Sequence, residues 1–152
     1  PAALESNLLE SMKNKQAKAK AIHWERILVV DDEADVLKTI QVNLKAHGFD
    51  ILTATSGEEC LAMAATQKPD VIILYIIMPG INGLEVARQL RANPTTKNVP
   101  VIFLTARAQE ADEIEAQKVG GVAFIKKPFS TQHLYDTVIS VLKLQRGIKN
   151  QV

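Results

Sequence analysis

The chain has 152 residues, of which 47% are hydrophobic and 23% charged, with a formal net charge of +1. That length suits one domain able to bury its own core, and near-neutrality gives no support to coating a nucleic acid or an anionic membrane. A single cysteine, Cys60, excludes an internal disulfide and suits a reducing compartment. No apolar run nears the ~20 residues of a membrane span and no signal-peptide pattern opens the sequence, so the expected location is the cytoplasm.

Residues 1 to about 24 read as a separate arm. "NLLESMKNKQAKAKA" is rich in Lys, Ala and Gln, and Leu4, Leu8 and Met12 fall four apart, so a helix there could bury one short stripe. A solvated linker helix and a docking or dimerising arm both fit that pattern. From Arg26 a β/α alternation begins. "RILVV" (26–30) predicts a strand, and Val36, Leu37, Ile40 and Leu44 predict one face of a helix that stops at Gly48. "ILTA" (51–54) predicts a second strand, and Ser56 with Glu59 a capping box for a second helix. "VIIL" (71–74) predicts a third strand; Met78-Pro79-Gly80 turns the chain, and Asn82 with Glu85 opens a third helix. "VIFL" (101–104) and "VAFI" (122–125) predict two more strands, with a helix over about 108–119 between them. Ser130 caps a fifth helix whose Leu134, Val138, Val141 and Leu142 share a face. Continuously apolar strands are covered on both faces, so the five units predict an α/β fold with a doubly wound parallel sheet.

In an open parallel sheet, ligands gather at the carboxyl ends of the strands. Here those ends carry Asp31-Asp32-Glu33, Tyr75, Thr105-Ala106 and Lys126-Lys127-Pro128-Phe129. Adjacent carboxylates offer hard oxygens to Mg²⁺, and a lysine with a threonine hydroxyl could hold phosphoryl oxygens. A purely structural ion-pair cluster of Asp31, Asp32 and Lys127 is the simpler alternative. His23, His47 and His133 fall on unrelated segments.

The four stretches "ILVVDDE", "PDVIILYIIMPGINGLEV", "VPVIFLTARA" and "FIKKPF", in that order, resemble the receiver domain of two-component response regulators over about residues 26 to 146. The resemblance implies a flavodoxin-like sheet of strand order 2-1-3-4-5 with five helices. It divides the chain into an arm (1–24), a receiver domain (25–147) and a tail (148–152). It also implies transfer of a phosphoryl group from a histidine kinase or phosphotransfer protein onto an aspartate, with Mg²⁺ bound. Carried over by position, Asp31 and Asp32 match the acidic metal pair and Ile77 offers its backbone carbonyl. Thr105 matches the switch hydroxyl, Lys127 the family lysine and Phe124 the rotating aromatic. Lys127-Pro128 matches a bond that is often cis in the family.

One position departs: Tyr75 stands where the family has its phosphoaccepting aspartate. Val122-Ala123 is a smaller departure, where acidic or polar residues are common. A phenol with a pKa near 10 is only about one part in a thousand ionised at pH 7. Asp70 lies five residues back, about 16 Å along the strand, and cannot substitute. The expectation is therefore a signalling module, not an enzyme, with phosphoacceptance lost or impaired and Mg²⁺ weak or absent. Its output would be contact with a downstream protein through helix four, strand five and helix five. The alternative is a metal-dependent phosphotransferase or phosphatase using Asp31 and Asp32. A DNA-binding role for this domain is not expected, because "QRGIKNQV" after the fifth helix is too short for a helix-turn-helix unit.

Overall fold

Ile27, Leu28, Val29 and Val30 are all fully buried, so the first strand, β1 (Arg26–Val30), requires cover on both faces and a central place in the sheet. A computed structural model of the chain describes residues 24–106 and 110–150 and places β1 accordingly. The arm with Leu4, Leu8 and Met12 lies outside the described residues. The other strands are β2 (Asp50–Ala54), β3 (Val71–Tyr75), β4 (Val101–Thr105) and β5 (Gly121–Lys126). All pair in parallel in the order β2-β1-β3-β4-β5, which is the order the resemblance implied.

Five helices connect and cover the sheet: α1 (Ala34–Ala46), α2 (Gly57–Gln67), α3 (Gly83–Ala92), α4 (Glu110–Lys118) and α5 (Thr131–Asn150). Helix α1 packs on α5, and α2 packs on α3. The buried Leu37, Ile40 and Leu44 of α1 and Leu134, Val138, Val141 and Leu142 of α5 join the strands in one continuous core. The expected α4 range of 108–119 begins outside the described residues, and α5 runs to Asn150, past the boundary expected at 147.

The helix starts follow their caps. Ser56 Oγ accepts from the Glu59 N–H at 3.2 Å, Asn82 Oδ1 from Glu85 N–H at 3.0 Å, and Ser130 Oγ from His133 N–H at 3.0 Å. The expected capping box is displaced by one residue, because the Glu59 carboxylate accepts from the N–H and hydroxyl of Thr55, each at 3.2 Å. Glu33, at the N-cap of α1, makes no side-chain cap. Its carboxylate is turned toward Lys127 instead.

Candidate functional site

Register brings the reactive residues level. Val30 pairs with Leu74, so Asp31 and Tyr75, one step further along each strand, stand abreast. Tyr75 pairs with Leu104, and Thr105 with Lys126, which sets Lys127 just beyond the next strand end. The Lys127 N–H donates to the Thr105 carbonyl at 2.7 Å, fixing that loop, and Lys127-Pro128 is a cis peptide, as the resemblance implied. On the other side, the Gly83 N–H donates to the Ile76 carbonyl at 2.7 Å. A Cβ on Gly83 would lie 2.5 Å from the Tyr75 carbonyl oxygen, so only glycine lets α3 start this close to the strand end.

Asp31 has no exposed surface. Its Oδ1 accepts from the Glu33 N–H at 3.0 Å, and its Oδ2 lies 2.7 Å from the Lys127 ammonium. The second contact is an ion pair without normal hydrogen-bond direction, since Oδ2 has no well-angled donor. Burial is the largest influence on this carboxyl and raises its pKa above the ordinary aspartate value. The Lys127 ammonium and the Glu33 N–H pull the other way and only partly offset burial, and Asp32 adds a small upward push.

Lys127 is the hub. Its side chain is 14% exposed and its Nζ lies 2.7 Å from Asp31, 3.4 Å from Glu33 Oε1 and 3.5 Å from the centroid of the Tyr75 ring. The last distance is a cation–π contact on the ring face. Tyr75 itself is 9% exposed and completes β3. Of the ion-pair cluster of Asp31, Asp32 and Lys127 that the sequence allowed, Lys127 pairs with Asp31 and, in addition, with Glu33. Glu33 was visible in the acidic run but had no separate role there, since nothing in the spacing says that its side chain turns away from its own helix.

The other candidates sit around this centre. Asp32 and Ile77 have exposed side chains, and Thr105 is buried at the end of β4. The Phe124 ring, half-buried on β5, stacks on Phe103 of β4 with centroids 6.0 Å apart and planes 16° from parallel. Beside the hub, a shallow cavity of about 400 Å³ is lined by Asp35, Val36, Thr39, Lys127, Pro128 and Phe129.

A family model for the response regulator receiver domain matches residues 27–139. The chain belongs to that family. It is 38% identical over 118 residues to the alkaline phosphatase synthesis transcriptional regulatory protein PhoP of Bacillus subtilis, covering 78% of this chain and 48% of PhoP. It is 36% identical to protein PilH of Pseudomonas aeruginosa, covering 77% of this chain and 97% of PilH. The chain thus spans about half of PhoP but nearly all of PilH. Among solved structures, the chemotaxis protein CheY4 of Vibrio cholerae superposes with a TM-score of 0.75 at 30% identity, covering 78% of this chain and 98% of CheY4. Receiver domains are generally signalling modules of two-component systems that interact with histidine kinases and downstream effectors, and they typically bind Mg²⁺ at the phosphorylation site. No helix among the described residues is long and apolar enough to cross a membrane.

The receiver pocket of this chain does not fit Mg²⁺ well. The Asp31 carboxylate already meets an ammonium, Tyr75 presents an aromatic face where a carboxylate would offer oxygens, and no group of three Asp, Glu, His or Cys side chains among the described residues is placed to hold a metal. Asp31, Asp32 and the Ile77 carbonyl are the oxygens that the family pattern would use.

Proposed function

We propose that this chain is a receiver module that works through protein–protein contacts and has lost, or nearly lost, aspartyl phosphoacceptance at Tyr75. The observation that carries the reading is the contact of the Tyr75 ring face with the Lys127 ammonium at 3.5 Å. At the end of β3, abreast of Asp31, an aspartate would present a carboxylate nucleophile. The phenol instead presents the carbon face of its ring to the lysine. With one anionic ligand fewer, Asp31, Asp32 and the Ile77 carbonyl hold Mg²⁺ only weakly.

Thr105 and Phe124 remain as the switch pair, and the surface of α4, β5 and α5 as the output face toward a downstream protein. A histidine kinase or phosphotransfer protein is the input partner in this reading, and the cytoplasm is its location. Neither DNA nor a membrane is a partner of this domain. The alternative of a metal-dependent phosphatase or phosphotransferase gains nothing from the relatives, which carry the names of regulators.

The test is phosphorylation by acetyl phosphate with Mg²⁺, comparing this chain with Tyr75→Asp. Hydroxylamine-sensitive labelling is expected of Tyr75→Asp alone. Labelling of the Tyr75 chain at the same rate would overturn the proposal. In parallel, beryllofluoride with Mg²⁺ should shift the Phe124 and β4–β5 amide signals of Tyr75→Asp and leave those of the parent chain in place.

A further inference from the structure

The pole opposite Tyr75 contains a cavity of about 390 Å³. It lies at the amino ends of β1, β3 and β4, against the last turns of α5. Pro69, Pro94, Val99, Pro100 and Leu142 supply its apolar walls. Those walls are fixed before anything binds. Arg91 donates from Nη1 to the Lys97 carbonyl at 2.6 Å and from Nη2 to the Val99 carbonyl. The Thr96 hydroxyl donates to the Leu90 carbonyl at 2.8 Å. The Asp70 N–H donates to the Arg26 carbonyl at 2.8 Å, and Asp70 Oδ2 accepts from the Arg26 N–H at 2.7 Å. Glu25, at the rim, holds the end of α5 through its ion pair with Arg146. Three prolines of fixed φ stiffen the same loops. A wall formed in advance spares an occupant the cost of ordering it.

From this placement we infer that the cavity is the docking site of the chain's own amino-terminal arm, with the Leu4, Leu8 and Met12 stripe as its occupant. The arm joins the domain at Trp24, and the next residue, Glu25, lines the cavity. Residues 13–23 separate Met12 from that junction. Eleven residues span at most roughly 36–40 Å, whereas β1 and β4 are two interstrand spacings of about 4.8 Å apart, so the tether reaches every wall. The cavity stands near the small end of the range for ligand sites, about 300–1,000 Å³, and offers a free ligand little. A tethered occupant competes at an effective concentration in the millimolar range and needs no high affinity. The stripe gains as well, because three apolar side chains in one row do not stabilise a short helix in water without a surface to cover them. Charge agrees with this occupant. Glu25 and Asp50 at this pole are paired with Arg146 and Arg26, whereas Asp70 forms no ion pair among the described residues. Residues 13–23 carry Lys13, Lys15, Lys18 and Lys20 and no acid, so the tether brings cations past that carboxylate. The docked arm ties the start of β1, the α3–β4 loop and the end of α5 together. Docking at this pole does not depend on what Tyr75 does at the other.

The test is a nitroxide attached to the full chain at Ser11→Cys. Cys60 is buried in the core, which leaves the introduced thiol as the one that reacts. The amide NMR signals of Asn98, Val99 and Gln145 should lose intensity by paramagnetic broadening, while those of Lys127 and Phe129, at the far pole, keep theirs. Adding Leu4→Ser, Leu8→Ser and Met12→Ser together should restore the lost intensity. Asn98→Arg, which places a bulky cation in the cavity from an exposed position, should restore it at Val99 and Gln145 as well. Full intensity at Val99 and Gln145 in the labelled chain overturns the inference, and so does broadening that survives either set of substitutions. A mixture of spin-labelled chain with isotope-labelled chain separates the two possible occupants. Broadening of the cavity amides in that mixture means that a second copy fills the cavity, and it overturns docking of the chain's own arm.

Discussion

The two poles of the sheet each carry an ion pair of the same length, and only one of them is buried. At the amino ends of the strands, Arg26 Nε meets Asp50 at 2.7 Å with the two side chains 41% and 55% exposed. Arg26 also donates from Nη1 to the Gln67 carbonyl and from its backbone N–H to Asp70, both at 2.7 Å. At the carboxyl ends, Lys127 meets Asp31 at the same 2.7 Å, but with 14% and 0% exposure and an Asp31 oxygen lacking a well-directed hydrogen bond. Water can replace any partner at the first pole, whereas at the second only the protein can. Equal distances therefore carry unequal energies, because only at the carboxyl-end pole does the pair rely on the protein alone for its partners.

The largest expected effect separates these poles. Lys127→Met leaves a buried carboxylate uncompensated and should cost about 3–5 kcal/mol in urea unfolding. Asp50→Asn at the exposed pole should cost about 0–1 kcal/mol. Adding Asp31→Leu to Lys127→Met should recover most of the loss, because no orphaned charge then remains. Equal costs at the two poles would break the comparison.

Two glycines sharpen it next. Gly83→Ala drives a Cβ to 2.5 Å from the Tyr75 carbonyl oxygen and 2.9 Å from the Ile76 Cα. Backbone atoms cannot rotate away, so the loss should be about 1–3 kcal/mol, accompanied by a shift of the Tyr75 ring signals. Gly147→Ala, on α5 with nothing within 4 Å, should instead stabilise by about 0.5–1 kcal/mol through helix propensity. Thermal unfolding of both variants checks the opposite signs.

The smallest effect at neutral pH belongs to Cys60, in the core and away from both poles. Burial pushes its thiol up to about 12, above the value of the unfolded chain near 9.0. A raised folded pKa gives stability that is present below pH 9 and is lost as pH rises from there toward 12, since only the unfolded chain releases the proton in that window. The unfolding midpoint should thus be insensitive to this thiol at pH 7 and fall above pH 9, while Cys60→Ala removes that part of the fall. A thiol reagent at pH 8 should modify Cys60 only as fast as the chain opens.

The placement of the strands was legible because burial on both faces leaves a local mark: each strand segment is apolar without interruption, or nearly so, whatever it packs against. The three Ser and Asn caps were legible for the same reason, since a cap acts across three residues. Strand order came through the family motifs, and the structure bears it out. The meeting of Asp31, Tyr75 and Lys127 at one pole followed from their places at strand ends, because a parallel sheet brings those ends together. What sequence could not supply was the direction of each side chain once there. The turn of Glu33 away from its helix, the reach of Glu59 to Thr55 instead of Ser56, and the lysine lying on the tyrosine face are choices among rotamers of similar local energy. The turn of Glu33 and the place of the lysine are decided by contacts of Lys127 with residues 31, 33 and 75, far apart in sequence, and such contacts exist only after the sheet has formed.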